Sequence, residues 1–175
     1  RYLVEYNGNK IKGENLIFFF CWCIQEAAPE WFLMENVREA PNPEIKGYNS
    51  ADFLLNNRAC GGEQERIRKI VFGRKGKPAN LRRFVSLVPL MSIDKAPTVC
   101  ASGLVGITKE GKRVMGIKTA NALEESLRLQ GLPKNFLNDA PFTIKGKHQV
   151  IGNGVPLPMG RVLAKAVKAL LAANS

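Results

Sequence analysis

Apolar residues fall along the chain in a few dense runs, separated by glycine, proline and charge. The run "NLIFFFCWCI" (Asn15–Ile24) continues into "QEAAPE", and Pro29 stops it. It predicts a buried helix over Glu14–Ala28. Trp31-Phe32-Leu33-Met34 then ends on Glu35-Asn36, with prolines at 41 and 43, which predicts a short buried strand with a polar tip. A turn region (Pro41–Gly47) and a mixed segment (Tyr48–Asn57) follow. "CGGEQERIRKIVFG" (Cys60–Gly73) offers a tight glycine turn and a strand at Lys69–Gly73.

Beyond it, Gly73–Leu81 reads as a linker and Phe84–Leu90 as a short β-like stretch. The glycine-dotted residues from Ala96 to Gly116 read as loops and hairpins. A helix is expected from Thr119 to Gln130, closed by Gly131 and Pro133. A turn at Ile151–Pro158 then leads into a last helix, Met159–Ala173. There Val162, Leu163, Ala166, Val167, Leu170 and Leu171 form one apolar face. The first thirteen residues are polar and glycine-containing, and read as a loop. This mixture of helices and strands predicts an α/β fold.

Charge adds a partner. The chain of 175 residues has net charge +11, from 26 basic and 15 acidic residues. Between Arg66 and Arg83 there are eight basic residues and no acid. Such a block suggests a polyanion, and equally a plain solvated surface. The four cysteines form no CxxC, and His148 is the sole histidine. A zinc site and a disulfide framework are therefore not expected, and the usage suits a reducing cytoplasm. No apolar run reaches the roughly 18 residues that span a bilayer, so no membrane partner is expected.

Three motifs could carry chemistry. Gln64, Arg66 and Arg68 alternate on a strand and would share a face, where they could grip a phosphate and a base edge, or simply decorate an edge strand. Gly152 and Gly154 flank Asn153 before a helix, where backbone can approach a ligand closely, or merely turn. Glu35-Asn36 ends a strand, where ligands of open α/β sheets bind, or caps a turn.

In order, "LMENV", "NNRACGGEQERIRKIVFG", "APTVCAS", "EESLRLQGLPKNF" and "QVIGNGVPLP" resemble the C-terminal portion of the cytosine-5 DNA methyltransferases, from about residue 14 to 172. The resemblance implies part of a class I, Rossmann-like S-adenosylmethionine-dependent methyltransferase sheet with a small irregular recognition segment. Residues 1–73 and 119–175 would belong to the catalytic domain and 74–118 to target recognition. It implies methyl transfer from S-adenosyl-L-methionine to C5 of a cytosine flipped out of double-stranded DNA. By similarity Glu35 would hydrogen-bond the ring at N3 and the exocyclic amine, and Arg68 would bind the O2 side. Asn36 would hold the turn, Gln64 would brace the strand, and Asn153, Gly154 and Val155 would line the cofactor pocket. Arg66, Arg74, Lys75, Lys77, Arg82 and Arg83 would meet nucleic acid, with Arg66 also bracing the strand.

The chain departs from the family pattern in places. It contains no Pro-Cys pair, the family's nucleophile motif, and no Gly-rich first cofactor motif. Cys21 and Cys23 fall in the first helix rather than in such a loop. Glu63 stands where the family usually has proline, and "ALEE" (Ala122–Glu125) replaces Thr-x-Arg-Glu. The chain alone is therefore expected to be inactive and to need an N-terminal half or partner subunit with the nucleophilic cysteine. The alternatives are a non-catalytic DNA-binding subunit, a decayed remnant, or a tRNA cytosine methyltransferase. The expected setting is bacterial or phage cytoplasm, near the nucleoid.

Overall fold

The computed structural model describes residues 4–6, 9–11, 16–89, 96–107, 113–117 and 119–173. Two compact units divide the chain. One comprises Arg1–Leu54 with Arg68–Arg83, the other Leu55–Ile67 with Phe84–Ser175.

The first unit holds two short paired strands, β1 (Val4–Tyr6) and β2 (Asn9–Ile11), then helix α1 (Leu16–Ala27), strand β3 (Trp31–Asn36) and all but Leu55, Asn56 and Ile67 of strands β4 (Tyr48–Asn56) and β5 (Ile67–Lys75). The latter three form a sheet in the order β3-β5-β4, with β3 antiparallel to β5. Strand alternation places Phe32 and Met34 on one face, where they are buried with Ile45 and Val71. Ile17, Phe20, Cys21 and Ile24, spaced as one stripe of α1, pack against that cluster. The Phe20 and Phe32 rings meet edge-on at 5.6 Å. Gly73 makes room for Phe32: a Cβ there would lie 2.1 Å from the ring. The Tyr48 hydroxyl donates to the Pro29 carbonyl and ties β4 to the start of β3.

The second unit carries a short 3-10 helix at Asn57–Cys60, the strands β6 (Val99–Cys100), β7 (Gly103–Ile107) and β8 (Arg113–Ile117), and helices α2 (Ala120–Leu129), α3 (Ile144–Asn153) and α4 (Leu157–Ala172). The strands form an antiparallel sheet in chain order. Val99, Leu104, Leu123, Leu127, Leu129 and Ile151 lie at its core. Thr119 and Thr143 cap α2 and α3, each hydroxyl accepting a backbone N–H three residues on. One stripe of α4 (Met159, Leu163, Ala166, Val167 and Leu170) is buried.

Several expectations change. The polar N-terminus, read as a loop, contains the β1–β2 pair, and the mixed segment 48–57 contains the nine-residue strand β4. No residue of α1 is fully buried, and Phe18 is 68% exposed. The helix start expected at Glu14 lies outside the described residues. Phe84 closes a 3-10 helix, and 85–89 form no strand; Leu90 lies outside the described residues. The turn expected from Ile151 begins later, because α3 extends to Asn153.

Candidate active site

Glu35 and Arg68 meet because of strand register. Glu35 pairs with Ile70 across the β3–β5 ladder, and Arg68 lies two residues before Ile70, on the same face. Their side chains form an ion pair, Glu35 Oε1 to Arg68 Nε at 2.9 Å. The approach is close but does not have the alignment of a hydrogen bond. Both side chains are about one-fifth exposed (19% and 21%), while the paired oxygen, Glu35 Oε1, is itself buried.

The strand tip is held from two sides. Asn36 Oδ1 accepts from the Val37 N–H at 2.8 Å. Lys69 Nζ donates to the Ala40 carbonyl at 2.6 Å, anchoring the loop that leaves β3. No spacing pattern points to Lys69, since its partner is 29 residues away.

Gln64 and Arg66 have other work. Both are buried, at 0% and 4% exposure. The Arg66 guanidinium donates to the carbonyls of Val99 (2.7 Å), Gly152 (2.9 Å) and Gly154 (3.3 Å). Gln64 Nε2 donates to the Leu129 carbonyl and to Gln130 Oε1, and its own Oε1 accepts from the Val99 N–H. Gln130, which the sequence reading passed over, donates to the carbonyls of Ile151 (2.7 Å) and Gly154 (3.4 Å). Arg66 and Gln130 thus hold the carbonyls of Ile151, Gly152 and Gly154 inward, Gln64 braces Gln130, and Asn153, Gly154 and Val155 are exposed. Gly152 completes this packing: a Cβ there would come within 2.1 Å of the Cys100 backbone.

Two corrections follow. Gln64, Arg66 and Arg68 do not form one three-pronged grip, because β5 begins at Ile67 and the partners of Gln64 and Arg66 are carbonyls and amides of their own unit. Arg66 and Arg74 are too buried to serve as surface phosphate contacts; Arg74 is 2% exposed, with Glu30 3.7 Å away. Lys75, Lys77, Arg82 and Arg83 are exposed, and Lys77 lies 3.5 Å from Glu30. Burial pushes the Cys60 thiol up to about 11 and raises that of Cys21 too. Neither is an activated thiolate.

Glu63 and Glu125 share one partner. Arg128 contacts both Glu63 carboxylate oxygens (2.6 and 2.7 Å) and both of Glu125 (2.8 Å each). Hydrogen bonds from Arg128 hold the Glu125 carboxyl below its ordinary range.

The described elements define an α/β protein with a paired carboxylate and guanidinium at a strand tip and a braced glycine turn. No protein-family model and no curated protein matches its sequence. Among solved structures it is similar to the Entamoeba histolytica methyltransferase EhMeth, at 17% identity and TM-score 0.47, over 82% of this chain and 63% of that one. It is also similar to the S. pombe Dnmt2 methyltransferase, at 15% identity and TM-score 0.49, over 83% of this chain and 66% of that one. A mutant of Spodoptera frugiperda DNMT2 matches at 12% identity and TM-score 0.49, over 90% of this chain and 75% of that one. The chain thus spans less than two thirds of the first two. At these values the likeness decides neither substrate nor reaction.

Proposed function

We propose that this chain supplies the base-activating part of a cytosine-5 methyltransferase acting on DNA. The observation that carries the reading is the Glu35–Arg68 pair, a carboxylate and a guanidinium side by side at a partly exposed strand tip. A cytosine presents, along one edge, an amine, a ring nitrogen and a carbonyl oxygen. Arg68 suits the carbonyl oxygen and Glu35 the nitrogen pair.

A partly exposed ion pair is worth only about 0.2–1 kcal/mol. Each hydrogen bond from a charged group to the base is worth roughly 1.5–3 kcal/mol, so an arriving base can separate the two side chains. As the pair separates, Glu35 takes up a proton from solvent and shares it with N3, which withdraws electron density from C6 and eases addition of a thiolate there. The thiolate belongs, in this reading, to an N-terminal half or partner subunit.

Asn153, Gly154 and Val155 would hold S-adenosylmethionine. The fit rests on a turn whose carbonyls are tied inward and whose amide and apolar side chains face out, which suits the polar edge and apolar face of an adenosine. When bound, that group supplies an electrophilic methyl.

The test supplies a polypeptide carrying the Gly-rich and Pro-Cys motifs and measures methyl transfer to duplex DNA and to tRNA. Transfer to DNA that is lost in Glu35→Gln supports the reading; transfer only to tRNA moves it to the RNA substrate. A second reading, a non-catalytic DNA-binding subunit or remnant, is favoured by the exposed basic residues Lys75, Lys77, Arg82 and Arg83. DNA binding with no transfer in any combination would select it.

A further inference from the structure

A cavity of about 570 Å³ lies within the second unit, lined by none of the residues given a role in the proposed chemistry. One wall is a stripe of α4: Pro158, Arg161, Val162, Lys165 and Ala169. A second is the end of the 3-10 helix, Cys60 and Gly61; a third is the extended segment bearing Phe84, Ser86 and Val88. The opposite stripe of α4 is the one buried in the core, so the helix presents two differently used faces.

The walls are fixed to one another. The Val88 N–H donates to the Ala59 carbonyl at 2.9 Å, joining the second and third. The Leu157 N–H donates to the Gln130 carbonyl at 2.9 Å, and Pro158 packs where a Cβ on Gly131 would stand, which sets the start of α4. The space is therefore preformed, and its size falls within the roughly 300–1,000 Å³ typical of small-molecule sites.

Its chemistry is uneven. The lining is mostly apolar, and the raised Cys60 thiol stays neutral and adds to that surface. Among the described residues, Arg161 and Lys165, one turn apart and exposed, are its charged residues, and no carboxylate lines it. A nucleic-acid phosphate would gain nothing from the apolar walls. A neutral hydrocarbon would gain nothing from the two cations.

We propose that this cavity binds a small organic anion with an apolar body, an acyl or aryl carboxylate. The head lies against Arg161 and Lys165, and the body lies along Val162, Phe84 and Val88.

The test is a nuclear magnetic resonance titration of the full chain with decanoate, decanol and acetate, reading the methyl signals of Val88, Val162 and Ala169. Decanoate should shift these signals saturably, and decanol and acetate should bind at least about tenfold more weakly. R161E/K165E, altered at exposed positions and checked by circular dichroism, should lose the decanoate response. The proposal is overturned if decanoate leaves the methyl signals unmoved, or if decanol or acetate binds as well. It is equally overturned if the response survives the charge reversal.

Discussion

At the scale of single residues, the decisive contrast is between two neighbouring arginines of β5 and the segment before it. Arg68 faces a partly exposed carboxylate, whereas Arg66 spends its donors on buried carbonyls. Their substitutions should therefore separate. Arg66→Ala leaves buried carbonyls without donors and should cost roughly 2–4 kcal/mol of stability, read by denaturant unfolding. Arg68→Ala and Glu35→Gln should unfold within about 1 kcal/mol of the parent, because the pair is partly exposed. In the completed enzyme, Glu35→Gln should lower turnover by roughly 10²-fold or more; full activity would remove Glu35 from the chemistry. Glu125 offers a pH test. Its folded carboxyl is held down, so its contribution to stability is present above its unfolded value and is lost as pH falls through the lower folded one. Arg128→Ala should return the Glu125 titration toward the ordinary range, seen by carboxyl NMR. The stability change should stay within about 1 kcal/mol, since Arg128 is half exposed.

At the scale of elements, legibility followed local contrast. β3 was readable because four apolar residues end abruptly on Glu35-Asn36 and two prolines follow, and its bounds are those expected. α2 carries its stop signal, and α4 its apolar stripe, in the sequence. α3 was not readable. It contains Gly146 and Gly152, each costing about 1 kcal/mol of helix propensity against alanine. What sustains it is the Thr143 cap and packing against Cys100–Ala101, which no periodicity announces. Gly152→Ala should therefore destabilise the chain, despite the better propensity, by several kcal/mol on thermal unfolding. β4 was hidden by a mostly exposed, mixed surface. Of the site, Glu35 was visible as a misplaced charge on an apolar run. Gln130 was invisible, because its partners are the buried Gln64 side chain and carbonyls more than twenty residues away.

At the scale of the molecule, charge is the feature that acts at a distance. Lys75, Lys77, Arg82 and Arg83 are exposed, whereas Arg66 and Arg74 are buried. Lys75→Ala or Lys77→Ala should weaken DNA binding uniformly across sequences and lower the salt slope by about one. No helix among the described residues is long and apolar enough to cross a membrane. Calorimetry with S-adenosylhomocysteine should give little heat for this chain alone, and heat once the Gly-rich and Pro-Cys polypeptide is added. Strong binding by the chain alone would show that the 153–155 turn suffices.

The two units interleave along the sequence, and that has a consequence for synthesis. The thirteen residues Leu55–Ile67 belong with Phe84–Ser175, although the strand that completes the first unit comes between them. As the chain leaves the ribosome, the first unit has all its parts once Arg83 has emerged. Gln64 and Arg66 are by then outside, yet the carbonyls they bind, at 99, 129, 152 and 154, have still to be made. A nascent chain whose emerged part ends just past Arg83 would hold all the parts of the first unit while Gln64 and Arg66 still wait for their partners. Neither unit can be obtained by a single cut, and a protease acting between Leu55 and Ile67 would sever both at one stroke.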